Sequence, residues 1–365
     1  MNVRVFSFPL SIVALLLWGC SSGQHAITPV PEPATQGFLA SPAPPTFAEY
    51  KPPANGVTTG IAIGADHAVW FTQNNSYVGR FLNGAFSAVY VNVPQFNYMQ
   101  NNALNILAAN SSGVYGGVQY VEQSGFNDQN DIFEISYTHH VSLTSGQQIS
   151  SPNTGTLQAI SAGTSAAYAT GSYDALGPPG CNDCLYVISS SGGDAVRTQN
   201  YEAGEAIANA GSYIYVAAAE NYGNGTQHGI KLYELNASTL TSFTQVAVLA
   251  APSNIHFMTL GPDGALWFTD NGRNAIGRYS SGTVHEYAVP TSNADPEGIV
   301  RGLDGALWFT EALSNKLGRI TTTGTITEYK LPFTGGKPTG LAAVTTVRNL
   351  WYTDIGTGKL GRVIY

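Results

Sequence analysis

The sequence contains little charge. Asp, Glu, Lys and Arg make up only 10% of its 365 residues, the formal net charge is −8, and no run of basic residues occurs. Proteins that bind nucleic acid need clustered Lys and Arg to neutralise phosphates, so this composition excludes that class and we expect no nucleic-acid partner. What the chain does contain is 41 glycines and 11% aromatic residues. This balance favours an all-β, turn-rich fold over a helical one.

Long hydrophobic runs are also scarce. The longest largely apolar stretch, residues 5–17, follows Arg4 and is too short to be a comfortable membrane span. It leads into Leu17-Trp18-Gly19-Cys20, which resembles a bacterial lipobox, and residues 1–20 are therefore predicted to be a lipoprotein signal peptide with lipidation at Cys20. The alternative is an ordinary export signal cut nearby. Ser21 favours the outer membrane, so we expect an exported protein, anchored to the cell envelope by lipid alone and facing the periplasm or the cell surface.

The segment after the lipobox has little to bury. Residues 21–46 contain six prolines with small polar residues between them, which predicts a semi-extended tether. The remaining residues 47–365 are long enough for one large β domain.

Cysteine is the third scarcity. Besides Cys20, the chain has only Cys181 and Cys184, three residues apart. In an oxidising compartment the first interpretation is a local disulfide that closes a loop. A redox-active pair or half of a metal site is the alternative, but no second Cys pair or His cluster lies nearby in the sequence.

An internal repeat determines the predicted architecture. Residues 261–270, GPDGALWFTD, recur as 302–311, GLDGALWFTE, and shorter copies occur at 350–354 and 69–73. Each copy is followed by a Gly-Arg pair. A period of 40 to 50 residues is typical of β-propellers, in which each unit buries its faces against its neighbours. The second strands of seven four-stranded blades are predicted to carry the aromatic residues Trp70, Tyr115, Tyr168, Tyr215, Trp267, Trp308 and Trp351.

The ends of the repeat predict how the ring closes. Residues 285–287 and 327–329 read His/Thr-Glu-Tyr, each is followed by a proline, and both are predicted outer strands. The last blade ends at Tyr365 without such an element, whereas Ala48-Glu49-Tyr50 precedes the first blade. We therefore expect the N-terminal strand to pair with the last blade and close the seven-bladed ring, which removes an exposed sheet edge.

Functional candidates are polar residues that depart from the repeat. The residue that opens each inner strand faces the channel mouth and varies around the ring as Thr59, Leu104, Gln158, Glu205, His256, Glu297 and Thr339. The ends of second strands add Asp270, Glu311, Asp354 and Gln73. A histidine among carboxylates can hold a divalent cation and leave one group free as a general base. The alternative is a solvated polar rim around a water-filled channel.

The repeated DGALWFTE and IGR stretches, with Glu-Tyr-x-x-Pro between them, resemble the virginiamycin B lyase family over about 255–365 and 47–81. The resemblance implies a Mg²⁺-dependent carbon–oxygen lyase that opens a cyclic depsipeptide, a type B streptogramin, by elimination across its ester. Carried over by position, it implies roles at the site for His256, Glu311 and Asp295. With the residues of the two registers, the predicted catalytic residues are His256, Glu297 and Glu311, and the predicted metal ligands are Asp270, Asp295 and Glu311. Glu297 stands where the lyases have their acid/base histidine, and a carboxylate is the weaker base near neutral pH.

Three functions therefore stay open. The first is a lyase acting on a small cyclic peptide or ester, and the second is a non-catalytic envelope propeller that binds a peptide, glycan or protein at its mouth. The third is a metal-dependent lactonase. For each of them we expect a monomer.

Overall fold

The computed structural model divides the chain into two compact units, Met1–Pro42 and Ala43–Tyr365, and the fold described below is that of the second. The predicted signal peptide, Cys20, most of the tether, and Cys181 and Cys184 lie outside the described residues. No helix in the described part is long and apolar enough to cross a membrane. The described residues are 44–53, 56–73, 77–90, 103–111, 113–121, 128–136, 141–143, 157–163, 166–171, 185–189, 192–196, 204–221, 227–240 and 243–365.

All regular structure in the described residues is β-strand, which confirms the all-β prediction. The first fourteen strands are β1 (Thr46–Tyr50), β2 (Thr58–Ile63), β3 (Val69–Gln73), β4 (Tyr77–Leu82), β5 (Ala85–Tyr90), β6 (Ala103–Ala109), β7 (Gly113–Val121), β8 (Asp128–Ser136), β9 (Val141–Leu143), β10 (Leu157–Ala162), β11 (Ala166–Gly171), β12 (Leu185–Ser189), β13 (Gly192–Val196) and β14 (Gly204–Asn209). The others are β15 (Tyr213–Asn221), β16 (Gln227–Asn236), β17 (Thr244–Ala250), β18 (Ile255–Leu260), β19 (Leu266–Asp270), β20 (Ala275–Ser280), β21 (Thr283–Ala288), β22 (Pro296–Arg301), β23 (Ala306–Glu311), β24 (Lys316–Thr321), β25 (Ile326–Lys330), β26 (Pro338–Ala343), β27 (Asn349–Asp354) and β28 (Lys359–Ile364).

These strands form four-stranded antiparallel sheets. Six of the sheets in the described residues are meanders of consecutive strands, from β2-β3-β4-β5 to β22-β23-β24-β25, and one combines β26-β27-β28 with β1. In that sheet, Phe47 lies opposite Val363 and Tyr50 opposite Leu360. The first strands of successive sheets contact one another in the order β2, β6, β10, β14, β18, β22 and β26, and β26 contacts β2.

The recurrent tryptophans pack between neighbouring sheets. Trp267 on β19 shares a core cluster with residues of β22–β24, Trp308 with residues of β26 and β27, and Trp351 with residues of β2–β4. Each indole also contacts a tyrosine of its sheet's outer strand, with ring centroids 5.3–5.8 Å apart. Trp351 contacts Tyr50 on β1, so the N-terminal strand supplies the tyrosine that the outer strands β21 and β25 supply in their own sheets.

In three of the sheets, an aspartate in the turn before the second strand links the repeat's Trp and Arg. Asp263 accepts hydrogen bonds from the Trp267 indole nitrogen at 3.0 Å and from Arg278 Nε at 2.8 Å. The same pattern recurs at Asp66 and Asp304. The Gly that precedes each Arg is required by a close approach, since a Cβ at Gly277 would overlap the ring of Phe268. The recurring Gly-Arg pairs are therefore scaffold.

Candidate functional site

The candidate residues lie at irregularities in the innermost strands. On β18, the ladder to β19 breaks between Ile255 and Met258, and on β22 the ladder to β23 breaks between Pro296 and Ile299. A bulge turns side chains away from the regular alternation. Such breaks leave the following residues between ladder partners: Thr59, Gln158, Glu205, His256, Glu297 and Thr339. Local backbone geometry thus separates this register from the packed faces of the sheets.

Two of these residues form a pair. His256 Nδ1 lies 3.0 Å from Glu297 Oε2 and 3.2 Å from Oε1. The His256 side chain is 38% exposed and that of Glu297 is 15% exposed, so the imidazole is accessible to a ligand while the carboxylate lies behind it. The two residues belong to the contacting inner strands β18 and β22.

Two asparagines complete the surroundings of His256. Asn254 Nδ2 lies 3.1 Å from His256 Nε2 and donates to Asn271 Oδ1 at 2.8 Å. An ionised carboxylate only accepts hydrogen bonds, so Glu297 assigns the proton to Nδ1. In the neutral ring, Nε2 then carries the lone pair and accepts from the Asn254 amide. Nε2 is therefore the basic nitrogen of His256.

Carboxylates control the charge of this histidine. Burial acts to lower the pKa of His256, but the hydrogen bond that His256 donates to Glu297 and the negative charges of Glu297, Glu205 and Asp295 outweigh it, so the pKa lies above its usual value. The raised pKa makes the neutral ring a stronger base than a free histidine.

Burial raises the pKa values of Glu205 and Asp295, the other two carboxylates near His256. Burial raises the pKa of Glu205, opposed by the charge of His256. Burial and then the charge of Glu297 raise the pKa of Asp295, opposed by His256 and by a hydrogen bond from Asn271. Glu205 is on β14, next to β18, and Asp295 immediately precedes β22. The structure therefore gathers His256, Glu297, Glu205 and Asp295 at one mouth.

Asp270, a predicted metal ligand, is instead engaged in hydrogen bonds to neighbouring loops. Its buried carboxylate accepts hydrogen bonds from the hydroxyl of Ser253 and from the backbone nitrogens of Asn254 (2.9 Å) and Arg273 (3.2 Å). Asp354 similarly accepts from three backbone nitrogens, including that of Lys337 at 2.8 Å. Both aspartates hold the loops around the ends of their strands.

Glu311 ends β23 at the same register but lies apart from His256. Its side chain is fully buried, its Oε2 accepts from Ser314 at 2.7 Å, and its Oε1 has no hydrogen-bond partner among the described residues. Burial raises its pKa to about 7, and the charges that act on it belong to Glu328 and Lys316. The structure thus does not bring Glu311 into the His256 group.

The implied magnesium can be tested against these positions. Mg²⁺ requires several oxygen ligands in near-octahedral geometry. Asp270 is engaged by backbone nitrogens, Asp295 lies beside His256, and Glu311 lies beside Ser314. Within the described residues, no group of three or more His, Cys, Asp or Glu side chains is placed to hold a metal ion. As placed here, the three expected ligands do not fit one magnesium site, and the metal stays a prediction.

Comparison with known proteins agrees with this architecture. Residues 236–365 match the family model described as "Virginiamycin B lyase family". Virginiamycin B lyase from Staphylococcus aureus superposes with a TM-score of 0.67 at 22% identity, covering 88% of this chain and 99% of that chain. The chain is a β-propeller whose residues 236–365 resemble the virginiamycin B lyase family.

Two further solved structures share the fold. A catalytically inactive histidine-to-alanine variant of the S. aureus virginiamycin B lyase with quinupristin gives a TM-score of 0.65 at 22% identity, covering 88% of this chain and 99% of that chain. YCF48 bound to D1 peptide gives 0.63 at 13% identity, covering 87% and 95%. No curated protein matches the chain. At these identities the likeness to solved structures shows the fold alone.

Sequence reasoning missed three residues of this site. Asn254 and Asn271 flank the imidazole, and the available signal was that Asn271 follows Asp270 where the next copy of the repeat has Ala312. Phe257 takes the second position of the β18 bulge, where β22 has Gly298. A Cβ at Gly298 would lie 2.5 Å from the carbonyl oxygen of Thr339, whereas Phe257 is 40% exposed beside His256.

Proposed function

We propose that this propeller is a lyase-like enzyme that opens a cyclic depsipeptide by elimination, with His256 as the general base. The observation that carries the proposal is the pair formed by His256 Nδ1 and Glu297 at 3.0 Å, in an imidazole side chain that is 38% exposed. The match of residues 236–365 to the lyase family supports the substrate class. The solved structure of the inactive S. aureus variant with quinupristin supports the same substrate class.

The proposed step is a proton transfer. His256 Nε2 removes the α-proton of the residue whose β-oxygen forms the ester, a proton that lies next to that residue's own amide carbonyl. The Cα–Cβ double bond forms, the Cβ–O bond breaks, and the carboxylate of the ester leaves. The ring opens without a change in mass. Glu297 acts as a positioning residue that fixes the Nδ1–H tautomer and stabilises the imidazolium, as a carboxylate does behind other catalytic histidines. This role differs from the direct acid/base role expected from its place in the sequence.

The test is turnover of quinupristin by the purified protein, followed by mass spectrometry. A linear product of unchanged mass that disappears in His256→Ala supports the proposal. A product heavier by one water would instead identify a lactonase-type hydrolysis. Parallel reactions with added Mg²⁺ and with EDTA measure the metal dependence that the family resemblance implies, independently of His256.

A non-catalytic binding propeller is the second candidate. The observation that favours it is Glu297 itself, because its position holds a histidine in the lyases and the resulting mouth carries three carboxylates around His256. YCF48, whose structure shares this fold, is bound to the D1 peptide in that structure. Absence of turnover, together with saturable quinupristin binding that is lost in Glu297→Ala, would favour this candidate over the enzyme.

We propose that the sheets are seven blades of one ring, closed by β1. The cyclic order of contacts from β2 through β26 and back to β2 supports this arrangement, as does the pairing of β1 with β28. Tyr50 contacts Trp351 at 5.3 Å, in the place that Tyr287 and Tyr329 take beside their tryptophans.

We further propose that the protein is exported and anchored through lipidated Cys20, with a disulfide between Cys181 and Cys184. The support lies in residues 17–20 and in the spacing of the two cysteines. Metabolic labelling with palmitate that disappears in Cys20→Ser, and membrane fractionation of the two forms, test the anchor. Thiol alkylation before and after reduction tests the disulfide.

A further inference from the structure

A second concave site lies at the other ends of the inner strands. A cavity of about 480 Å³ is lined by the last residues of β2, β6, β10, β22 and β26, including Ala62, Ala162 and Val300. None of His256, Glu297, Glu205 and Asp295 lines it. Val300 follows Glu297 by three positions on β22, which places their Cα atoms about 10 Å apart along the strand. The cavity is therefore distinct from the candidate active site.

The chemistry of the cavity wall contrasts with that of the His256 mouth. Most of the lining is Ala, Gly, Val, Ile and Leu, and the described residues that line it include no Asp, Glu, Lys or Arg. Its polar groups are His67, Asn110, Ser161 and Thr345. A mainly apolar wall with a few polar groups, and a volume of several hundred Å³, is typical of small-molecule sites.

His67 is the feature that departs from the repeat. It follows Asp66 in the turn where other copies have Gly264 and Gly305 after their aspartates. Those glycines have φ of 72° and 75°, and His67 adopts 62°. Glycine takes this conformation freely, whereas a histidine is strained there by roughly 1 kcal/mol. The repeat thus carries an imidazole at a position where its own preferred residue has no side chain.

The strain at His67 serves no purpose in the turn itself. Asp66 still accepts hydrogen bonds from the Trp70 indole at 3.1 Å and from Arg80 Nε at 2.8 Å, as its counterparts do beside a glycine. Because Arg80 pairs with Asp66, the one carboxylate adjacent to His67 in sequence is already neutralised. The imidazole is exposed and lies at the edge of the apolar cavity.

We propose that this cavity binds a small organic anion whose apolar body fills the space between the inner strands and whose anionic head accepts a hydrogen bond from His67. An apolar body matches the Ala- and Val-lined wall. An anionic head matches an N–H donor at a rim without carboxylates, and a hydrogen bond to a charged group is stronger than one between neutral groups. This site is independent of the proposed lyase activity.

Two fluorescent probes separate the contributions of body and head in the purified full chain without detergent. 1-Anilinonaphthalene-8-sulfonate has an apolar body and a sulfonate, and N-phenyl-1-naphthylamine has a similar body without charge. We expect saturable binding of the sulfonate probe and weaker binding of the neutral one. His67→Gly should raise the Kd of the sulfonate probe about tenfold, the loss of one charge-assisted hydrogen bond, and leave that of the neutral probe unchanged.

Variants that fill the cavity locate the binding. Ala162→Leu and Ala343→Leu extend half-buried side chains from two different strands into the space and should weaken both probes at least about tenfold. Gly264→His is the matched control, because it places a histidine in the equivalent turn of another sheet, where a Cβ meets nothing within 4 Å. It should change neither affinity.

The outcomes that overturn the proposal are equally specific. They are the absence of saturable sulfonate-probe binding, affinity unchanged in both leucine variants, and affinity unchanged in His67→Gly. Melting temperatures confirm folding, and His67→Gly should melt no lower than wild type because it restores the repeat's own Asp-Gly turn. If the leucine variants unfold, the wild-type chain still decides the question, because probe binding must shift the His67 imidazole NMR signals that are missing in His67→Gly.

Discussion

Glu311→Gln should change the pH dependence of stability in one direction. The Glu311 side chain is fully buried, and one of its oxygens has no hydrogen-bond partner among the described residues. Burial raises its pKa to about 7 from an ordinary value of 4.5. An acid whose folded pKa is raised contributes stability below its unfolded pKa and loses that contribution as pH rises through the folded value. Wild type should therefore weaken between pH 4.5 and pH 8 relative to a variant that cannot ionise.

The size of the effect follows from the shift. Each pKa unit corresponds to about 1.4 kcal/mol, so the difference between the two proteins should change by roughly 3 kcal/mol across this window. The glutamine keeps the shape of the side chain and can still accept from Ser314. At pH 4 we expect the two proteins to be of similar stability, and at pH 8 we expect the variant to be the more stable.

Denaturant unfolding of both proteins at one-unit steps from pH 4 to pH 9 measures this difference. Glu328→Gln is a control of opposite sign, because despite its partial burial, hydrogen bonds from Lys316 and Thr291 lower the pKa of Glu328. Its removal should cost stability at neutral pH and little at pH 3. Parallel stability curves for wild type and Glu311→Gln would refute the argument, since an ionised Glu311 would then be tolerated without cost.

Three other predictions test different parts of the molecule. If His256 is the base, quinupristin turnover should rise with pH through a midpoint above the ordinary histidine value, and Glu297→Gln should move that midpoint to lower pH because it removes the main charge that raises the pKa. Asp304→Ala should destabilise the protein by about 2 kcal/mol in urea unfolding, more than Asp263→Ala, because the Asp304 side chain is 5% exposed against 18%. A chain that begins after β1 should melt lower and aggregate, because β28 loses its partner strand. A chain that begins at residue 44 keeps β1 and should do neither.

The fold could be predicted from the internal repeat. Asp-Gly turns, alternating strands and a recurrent Trp are local features, and their period specifies stacked sheets whatever the intervening loops contain. The pairing of β1 with β28 was predicted in the same way, because Ala48-Glu49-Tyr50 resembles the outer strands at 285–287 and 327–329. His256 and Glu297 were also found in this way, as departures from a repeated register.

The roles of the individual site residues could not be predicted from the repeat. Asp270, Glu311 and Asp354 end equivalent strands, and the sequence placed all three in one register. In the structure, Asp270 and Asp354 accept hydrogen bonds from loop nitrogens, while Glu311 accepts only from the Ser314 hydroxyl among the described residues and keeps its Oε1 without a partner there. Burial therefore raises the pKa of the Glu311 carboxyl, which has a single hydroxyl donor among the described residues.

The sequence by itself determined the class of fold, the positions of the second strands and the register at which functional side chains stand, because each of these depends on local periodicity. Only the tertiary structure decided which members of that register meet. His256 and Glu297 are 41 residues apart and become a pair because β18 and β22 are neighbouring inner strands, and Asn271 reaches the same imidazole from the end of β19. Distances across sheets depend on bulges and packing, which no single copy of the repeat encodes.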